Sequence, residues 1–298
     1  FTASANAYIA GGTLRNVYGG GWKGDVGYHD TSTNDTSGDI PGETHVVIGI
    51  RPDQTDDAKL AEIQKVKGTT ATKSDYGFAC GVPAIQRNAY AGGEGGAVFG
   101  TANLVLNNGY IGYVHLNANE EQDEQGNTVT AGTATEERYE EKINDETYYD
   151  EGIWKGANRL RDCGNVFGGG YDVRSSVDFS NVTVWNGTIR NSLHGGGEIA
   201  TIGRGSTSES GEANATRTIN AIYKAGKTTV TMYNGHVKRN VFGGGKGYNI
   251  WGYGQSQTLY TDGYVFGQTE VQIHGGEIGT EEGVADGYGN VFGGGDIG

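Results

Sequence analysis

The sequence predicts an all-β chain, a parallel β-helix with loop insertions and one short decorating helix, and three observations carry that expectation. Glycine supplies 55 of the 298 residues and proline only 3, against an average glycine usage of about 7%. Ile and Val together number 40 while Leu and Met number 9, and 18 Tyr join them; these are the side chains that fit a pleated strand. A hexapeptide of the form Asn-Val-aromatic-Gly-Gly-Gly recurs along the length: Asn16–Gly21, Asn165–Gly170, Asn240–Gly245 and Asn290–Gly295, with weaker copies at Asn88–Gly93 and Ser192–Gly197.

Other classes fall away on the same numbers. Three prolines and no Gly-X-Y period exclude a collagen helix, and no run approaches the roughly 18 apolar residues of a membrane span. The net charge of −14 with no basic stripe argues against nucleic acid or membrane as partner. The chain begins at Phe1 without Met or an apolar leader, so it reads as a processed product or an excised segment.

Taken in order, the chain reads as one β-helix domain over 1–298, interrupted at about 28–37, 51–87, 113–162, 198–226, 246–264 and 279–288. It opens on Tyr8–Leu14, a strand, a glycine corner and a second short strand, followed by the first hexapeptide. The same strand, turn and strand return at Leu104–Ile111, Val182–Ile189, Val230–Val237 and Val271–Ile278. The repeat core is Val17, Tyr18, Val166, Phe167, Val241, Phe242, Val291 and Phe292. The corner glycines are Gly19, Gly20, Gly21, Gly168, Gly169, Gly170, Gly195, Gly196, Gly197, Gly243, Gly244, Gly245, Gly293, Gly294 and Gly295. The tightest interval between triplets is 27 residues, from Gly168 to Gly195. A unit of three short strands cannot bury its apolar face alone, so units stack at about 4.8 Å into parallel sheets around a shared interior. Parallel crossovers make the right hand the expected one. The corners need either positive φ or close approach of neighbouring turns.

Two glycine-rich alternatives fail. A calcium-binding β-roll needs tandem Gly-Gly-x-Gly-x-Asp nonapeptides, which Gly294-Gly295-Asp296 only grazes, and a phosphate loop needs Gly-Lys-Ser/Thr before a helix.

The Asn-Val-Phe-Gly-Gly-Gly hexapeptide, with a Thr-x-Val-x-Ile-x-Gly-Gly segment nearby, resembles the glycine-rich repeats of large secreted or surface-anchored adhesin-like proteins of gut anaerobic bacteria. The resemblance covers most of the chain outside the insertions. It implies an extracellular or cell-surface β-helical stalk and carries over no catalytic residues.

The insertions hold the other candidates. Asp56–Gly68 has acids first, bases last, a closing glycine and an apolar stripe of Leu60, Ile63 and Val66, which predicts a helix of three turns. Residues 117–152 carry 12 acidic and 2 basic side chains, a solvated excursion or, as the alternative, a calcium site at Glu120, Glu121, Asp123 and Glu124. Cys80 and Cys163 precede consecutive hexapeptides; they are candidates for a disulfide, with two buried thiols as the alternative. Tyr248, Trp251 and Tyr253 cluster among glycines, where aromatic faces either stack on sugar rings or cover the sheet. The sequons at Asn34, Asn181, Asn186 and Asn214 would matter only in a eukaryotic secretory route.

No catalytic set emerges. Polysaccharide lyases and hydrolases occur on parallel β-helices, but they need carboxylates converging on one face, or an acid paired with Arg or Lys. The six His show no metal-ligand spacing, and His194 stands where other hexapeptides have Phe or Tyr. The expected function is a non-enzymatic extracellular structural protein without a cofactor. Because the chain opens and closes inside repeats, it either stacks head to tail on itself as a filament or belongs to flanking repeats of a longer stalk. A glycan- or surface-binding adhesin module using the insertions, with polysaccharide as partner, is the first alternative, and a polysaccharide lyase or hydrolase the second.

Overall fold

The computed structural model describes residues 2–51, 82–112, 164–209, 217–247, 263–279 and 288–296, together with short strands at 114–115, 120–122, 128–130 and 139–140. The described chain is all β and, among the described residues, contains no helix. The helix expected over Asp56–Gly68 lies outside them.

Three six-stranded parallel sheets form the body. The chain visits them in fixed order, and each visit to all three makes one rung. Rung 1 is β1 (Ser4–Ile9), β2 (Thr13–Leu14) and β3 (Val17–Tyr18). Rung 2 is β4 (Gly42–Ile48), β5 (Ala84–Ile85) and β6 (Ala89–Tyr90). Rung 3 starts with β7 (Val98–Leu106) and β8 (Tyr110–Ile111). Two small antiparallel pairs intervene, β9 (Val114–His115) with β12 (Tyr139–Glu140) and β10 (Glu120–Gln122) with β11 (Thr128–Thr130). The rung closes with β13 (Val166–Phe167). Rung 4 is β14 (Val177–Val184), β15 (Thr188–Ile189) and β16 (Leu193–His194). An antiparallel hairpin of β17 (Arg204–Glu209) and β18 (Arg217–Lys224) follows. Rung 5 is β19 (Gly226–Met232), β20 (His236–Val237) and β21 (Val241–Phe242). Rung 6 is β22 (Gly267–Ile273), β23 (Glu277–Ile278) and β24 (Val291–Phe292).

Register holds from rung to rung. In the long-stranded sheet Ile9, Ile48, Leu106, Val184, Met232 and Ile273 form one column. In the other two, Leu14, Ile85, Ile111, Ile189, Val237 and Ile278 stack, as do Val17, Ala89, Val166, Leu193, Val241 and Val291. A fourth line of parallel pairs joins Thr2, Val26, Val98, Val177, Ile202 and Val265, single bridges except for Val98–Val177, which belongs to the β7–β14 pairing. Strand alternation sends every second side chain inward, so the inward residues of all three sheets meet in one apolar cluster.

Two sets of polar contacts repeat along the stack, one between rungs and one within them. The asparagine opening each hexapeptide accepts a backbone N–H from the next rung: Asn16 from Asn88 at 3.1 Å, Asn88 from Asn165 at 2.9 Å, Asn165 from Ser192 at 3.1 Å and Asn240 from Asn290 at 3.0 Å. Inside the rungs, hydroxyls of the long strands donate to the carbonyl that follows the hexapeptide aromatic: Thr44 to Ala91 (2.6 Å), Ser180 to Gly195 (2.5 Å), Thr228 to Gly243 (2.5 Å) and Thr269 to Gly293 (2.5 Å). Each of these bonds ties two sheets within one rung. The polar groups are thereby satisfied where an unpaired one would cost about 1–3 kcal/mol.

The glycines divide into two kinds. The triplets do not adopt positive φ, whereas the turn glycines between the first and second sheets do, at Gly109 (127°), Gly187 (108°), Gly235 (97°) and Gly276 (94°). The triplets are required by approach instead. A Cβ on Gly195 would overlap Gly243 O and lie 3.0 Å from Val230 Cγ2.

Candidate functional site

The hexapeptide aromatics sit on the face of their sheet away from the apolar cluster. Tyr18, Tyr90, Phe167, His194, Phe242 and Phe292 stack as one ladder, with ring centroids 4.8–5.0 Å apart and planes within 17°. Val17, Val166 and Val241 belong to the inner cluster and the aromatics do not, so the expected repeat core is two stacks back to back. At the far end Val291 and Phe292 are exposed.

His194 is a ladder member. It is fully buried between Phe167 and Phe242, its Nδ1 has no hydrogen-bond partner among the described residues, and burial together with the Lys246 charge holds its pKa well below the ordinary histidine value. Beside it, Tyr90 Oη donates to Glu198, Asn88 Nδ2 donates to Tyr90 Oη at 3.1 Å, and Lys246 Nζ lies 3.4 Å from Glu198 Oε1. Burial, reinforced by the Glu198 charge, pushes the Tyr90 hydroxyl well up and keeps it protonated. A second ladder, Trp185, Tyr233 and His274, stacks at 4.0 and 4.9 Å, with the Arg51 guanidinium 3.6 Å from the Trp185 ring centroid.

Among the described residues an ionic cluster lies where two hairpins leave the rungs. Residues 28–41, closed by the Tyr28–Ile40 antiparallel bridge, depart between Gly27 and Gly42 in rung 2. The β17–β18 hairpin departs between Gly203 and Gly226 in rung 5. Each pair of glycines touches backbone to backbone: a Cβ on Gly27 would lie 2.7 Å from Gly42 N, and one on Gly203 2.7 Å from Gly226 N. Rungs 3 and 4 carry no hairpin at this corner and supply the floor, Phe99 and Asp178.

Across that floor Arg204 Nε donates to Asp178 Oδ1 at 3.0 Å and its Nη2 donates to Asp39, while His29 Nδ1 lies 2.6 Å from Asp39 Oδ1. Both partners of Asp39 face Phe99, with His29 and the Arg204 guanidinium each 5.4 Å from its ring centroid. Burial alone would push the Asp39 carboxyl up, but the Arg204 and His29 hydrogen bonds outweigh it and hold the group below the ordinary value. At Asp178 burial wins over the pull of Arg204 and raises the carboxyl. The arrangement is a clamp: its carboxylates are engaged by Arg204 and His29, and it fastens the first hairpin to the second over residues distant in sequence. Arg204 Nη1 is its one buried polar atom without a partner among the described residues.

Sequence reasoning missed this cluster. Its members belong to two hairpins and two rungs, and only the position of the hairpins at one corner, with two rungs between them, could have pointed to it. Of the residues that reasoning did name, the corner glycines and repeat core lie in the ladders described. Glu120 and Glu121 fall in β10, and Asp123 and Glu124 lie outside the described residues. Cys80, Cys163, Tyr248, Trp251 and Tyr253 also lie outside them. Among the described residues no group of three or more His, Cys, Asp or Glu is placed to hold a metal ion, and no helix is long and apolar enough to cross a membrane. Comparison of the chain with protein-family models, with curated proteins and with solved structures gave no match.

Proposed function

We propose that this chain is a non-enzymatic structural protein, a right-handed parallel β-helix that works outside the cell as a rigid column. It serves either as a filament built by end-to-end stacking or as a stalk segment among further repeats. The observation that carries this reading is the in-register repetition of all three sheets about one apolar cluster, with the rungs cross-tied by Thr44, Ser180, Thr228 and Thr269. Such a body has its side chains committed to stacking. The ionic cluster at Arg204 supports the same reading, because its carboxylates are engaged by Arg204 and His29 of the cluster itself.

In this reading the insertions are attachments to a self-sufficient column. Gly112 and Gly164, which bracket residues 113–163, approach so closely that a Cβ on Gly112 would lie 2.6 Å from Gly164 Cα. Deleting 114–163, so that Gly112 and residue 113 lead directly into Gly164, tests the reading. The shortened chain is expected to keep its β circular-dichroism spectrum and a urea midpoint close to the parent's. Loss of folding would overturn the column as the structural unit.

An adhesin module is the second reading. It is favoured by the exposed Tyr28, Ile40, Ile219, Ile222 and Tyr223 on the two clamped hairpins, since apolar groups gathered at one place on a surface mark contact sites. A glycan array probed with the parent and with a Tyr28→Ser/Tyr223→Ser variant decides it. Binding that the variant loses supports the module, and no binding by the parent removes it.

A further inference from the structure

The residue after each hexapeptide forms a column of its own. Trp22, Glu94, Tyr171, Glu198, Lys246 and Asp296 hold that place on successive rungs. From Glu94 onward each donates its backbone N–H to the last hexapeptide residue of the rung before, at 3.0–3.2 Å. Glu198 and Lys246 are thereby pinned one rung apart, about 4.8 Å, and the glycines just before them approach so closely that a Cβ on Gly196 would lie 2.5 Å from Gly245 N. Both side chains are buried: Glu198 is 5% and Lys246 9% exposed, with Lys246 Nζ 3.4 Å from Glu198 Oε1. The other carboxylate oxygen, Oε2, accepts the Tyr90 hydroxyl, which Asn88 Nδ2 holds in turn at 3.1 Å. Burial is the first cause of the upward shift at Tyr90 and of the downward shift at His194, as expected of a low-dielectric surrounding. A buried ion pair is weak evidence for stability, since packed apolar residues in its place are often as stable or more so. A primary amine held against a carboxyl group, with a hydroxyl donor on the far oxygen, is arranged for amide formation.

We propose that Lys246 and Glu198 join in an autocatalytic isopeptide bond that staples rung 5 to rung 4. One proton passes from the Lys246 ammonium to the Glu198 carboxylate, leaving an amine and a carboxylic acid; away from bulk water this neutral pair competes better with the charged one. The Nζ lone pair attacks Glu198 Cδ and the C–N bond forms. Charge developing on Oε2 meets the Tyr90 hydroxyl, a donor already in place. A second proton moves from Nζ to the Oε1 hydroxyl, the C–O bond breaks and water leaves. The ammonium and the carboxylate thus become one amide and one water, and no oxidant or co-reactant is needed. Amine and carboxyl are held together by the rungs, so the step is unimolecular. Asn88 reaches the reacting atoms only through Tyr90 Oη and is a positioning residue. Asp296, next in the column, also feels the Lys246 charge, but it is exposed where Glu198 is buried, which favours Glu198 as the acceptor.

Intact mass spectrometry of the purified 298-residue chain tests the bond, beside Lys246→Arg and Tyr90→Phe. The parent is expected to be lighter than its sequence by one water, and its proteolytic digest to hold a branched peptide joining Lys246 to Glu198. Lys246→Arg keeps a cation at the position, but a guanidinium stays protonated and does not attack a carboxyl, so this variant should have the mass of its sequence. Tyr90→Phe keeps a ring in the ladder and removes only the hydroxyl; followed from the onset of expression, its loss of water should be about tenfold slower than the parent's, or more. A parent at the full mass of its sequence overturns the proposal whether or not either variant folds. So does an equal loss of water from Lys246→Arg, or a branch at Asp296 in place of Glu198. A rate for Tyr90→Phe equal to the parent's overturns the part given to the hydroxyl. The bond needs only the register of rungs 4 and 5, so its failure leaves the column reading standing.

Discussion

Replacing Gly195 by Ala separates glycine needed for approach from glycine needed for flexibility. Gly195 belongs to the interior of the stack. Its N–H donates to Phe242 O at 2.9 Å, and its carbonyl accepts the Ser180 hydroxyl at 2.5 Å. The new methyl would overlap Gly243 O and come within 3.0 Å of Val230 Cγ2 and 3.1 Å of Thr228 Cβ. Backbone and β-branched side chains have little room to retreat, so the rungs must part locally. Overpacking of this kind costs about 1–3 kcal/mol, and at roughly 2–4 °C per kcal/mol for a chain of this size the melting temperature should fall by roughly 2–12 °C. Gly195 does not have positive φ, so backbone strain does not compound the effect. The control is Gly38→Ala, an exposed position whose added Cβ would have no described atom within 4 Å, expected within about 0.5 kcal/mol of the parent. Urea unfolding followed by circular dichroism measures both. Equal stability for the two variants would refute close approach as the reason for the triplets.

Three further outcomes follow from other groups. Because the folded-state pKa of His194 is held low, the unfolded chain takes up a proton that the folded one refuses once pH drops below about 6.5. Stability contributed at this site is therefore lost as pH falls from there toward the folded value. His194→Phe should narrow the gap between urea midpoints at pH 7.5 and pH 5, and an unchanged gap would contradict the assignment. Arg204→Met strands Asp39 and Asp178 without their shared cation; breaking a buried pair in this way costs about 3–5 kcal/mol, and faster amide exchange should appear in residues 28–41, whereas unaltered exchange there would show that the clamp does not hold the hairpin. Asn165→Ala leaves the Ser192 N–H without its acceptor, for about 1–3 kcal/mol, seen as a lowered urea midpoint; a midpoint equal to the parent's would mean that the asparagine ladder contributes nothing.

What the sequence made legible was everything with a period. The hexapeptides located β3, β6, β13, β16, β21 and β24, because Asn, Val, an aromatic and three glycines each answer a demand that recurs at every rung. The substitution of His194 for an aromatic was readable as a ladder variant for the same reason. Roles that depend on which rung lies next were hidden. The hexapeptide asparagine could be counted as a repeat, but its side-chain bond to the neighbouring backbone appears only once the rungs are in register. Thr228 looked like an ordinary strand residue until its hydroxyl was found on Gly243 O. The choice between positive φ and close approach for the triplets was open in the sequence, since both call for glycine. The ionic clamp was illegible because His29, Asp39, Asp178 and Arg204 meet only through hairpins leaving two different rungs, and nothing local in the sequence pairs them.

The most direct measurement is of register in two sheets at once. Rungs 4 and 5 pair Thr183 with Thr231 in the first sheet and Thr188 with His236 in the second. In a background with Cys80 and Cys163 replaced by Ser, cysteines at Thr183/Thr231, at Thr188/His236 and at the offset pair Thr183/Thr229 are oxidised under mild conditions. Parallel neighbours about 4.8 Å apart lie within disulfide reach, whereas a partner two residues out of register lies beyond about 7 Å. The stacked-rung account predicts crosslinking of the first two pairs and none of the third. Bonding of the offset pair, or of one sheet's pair without the other's, would contradict it.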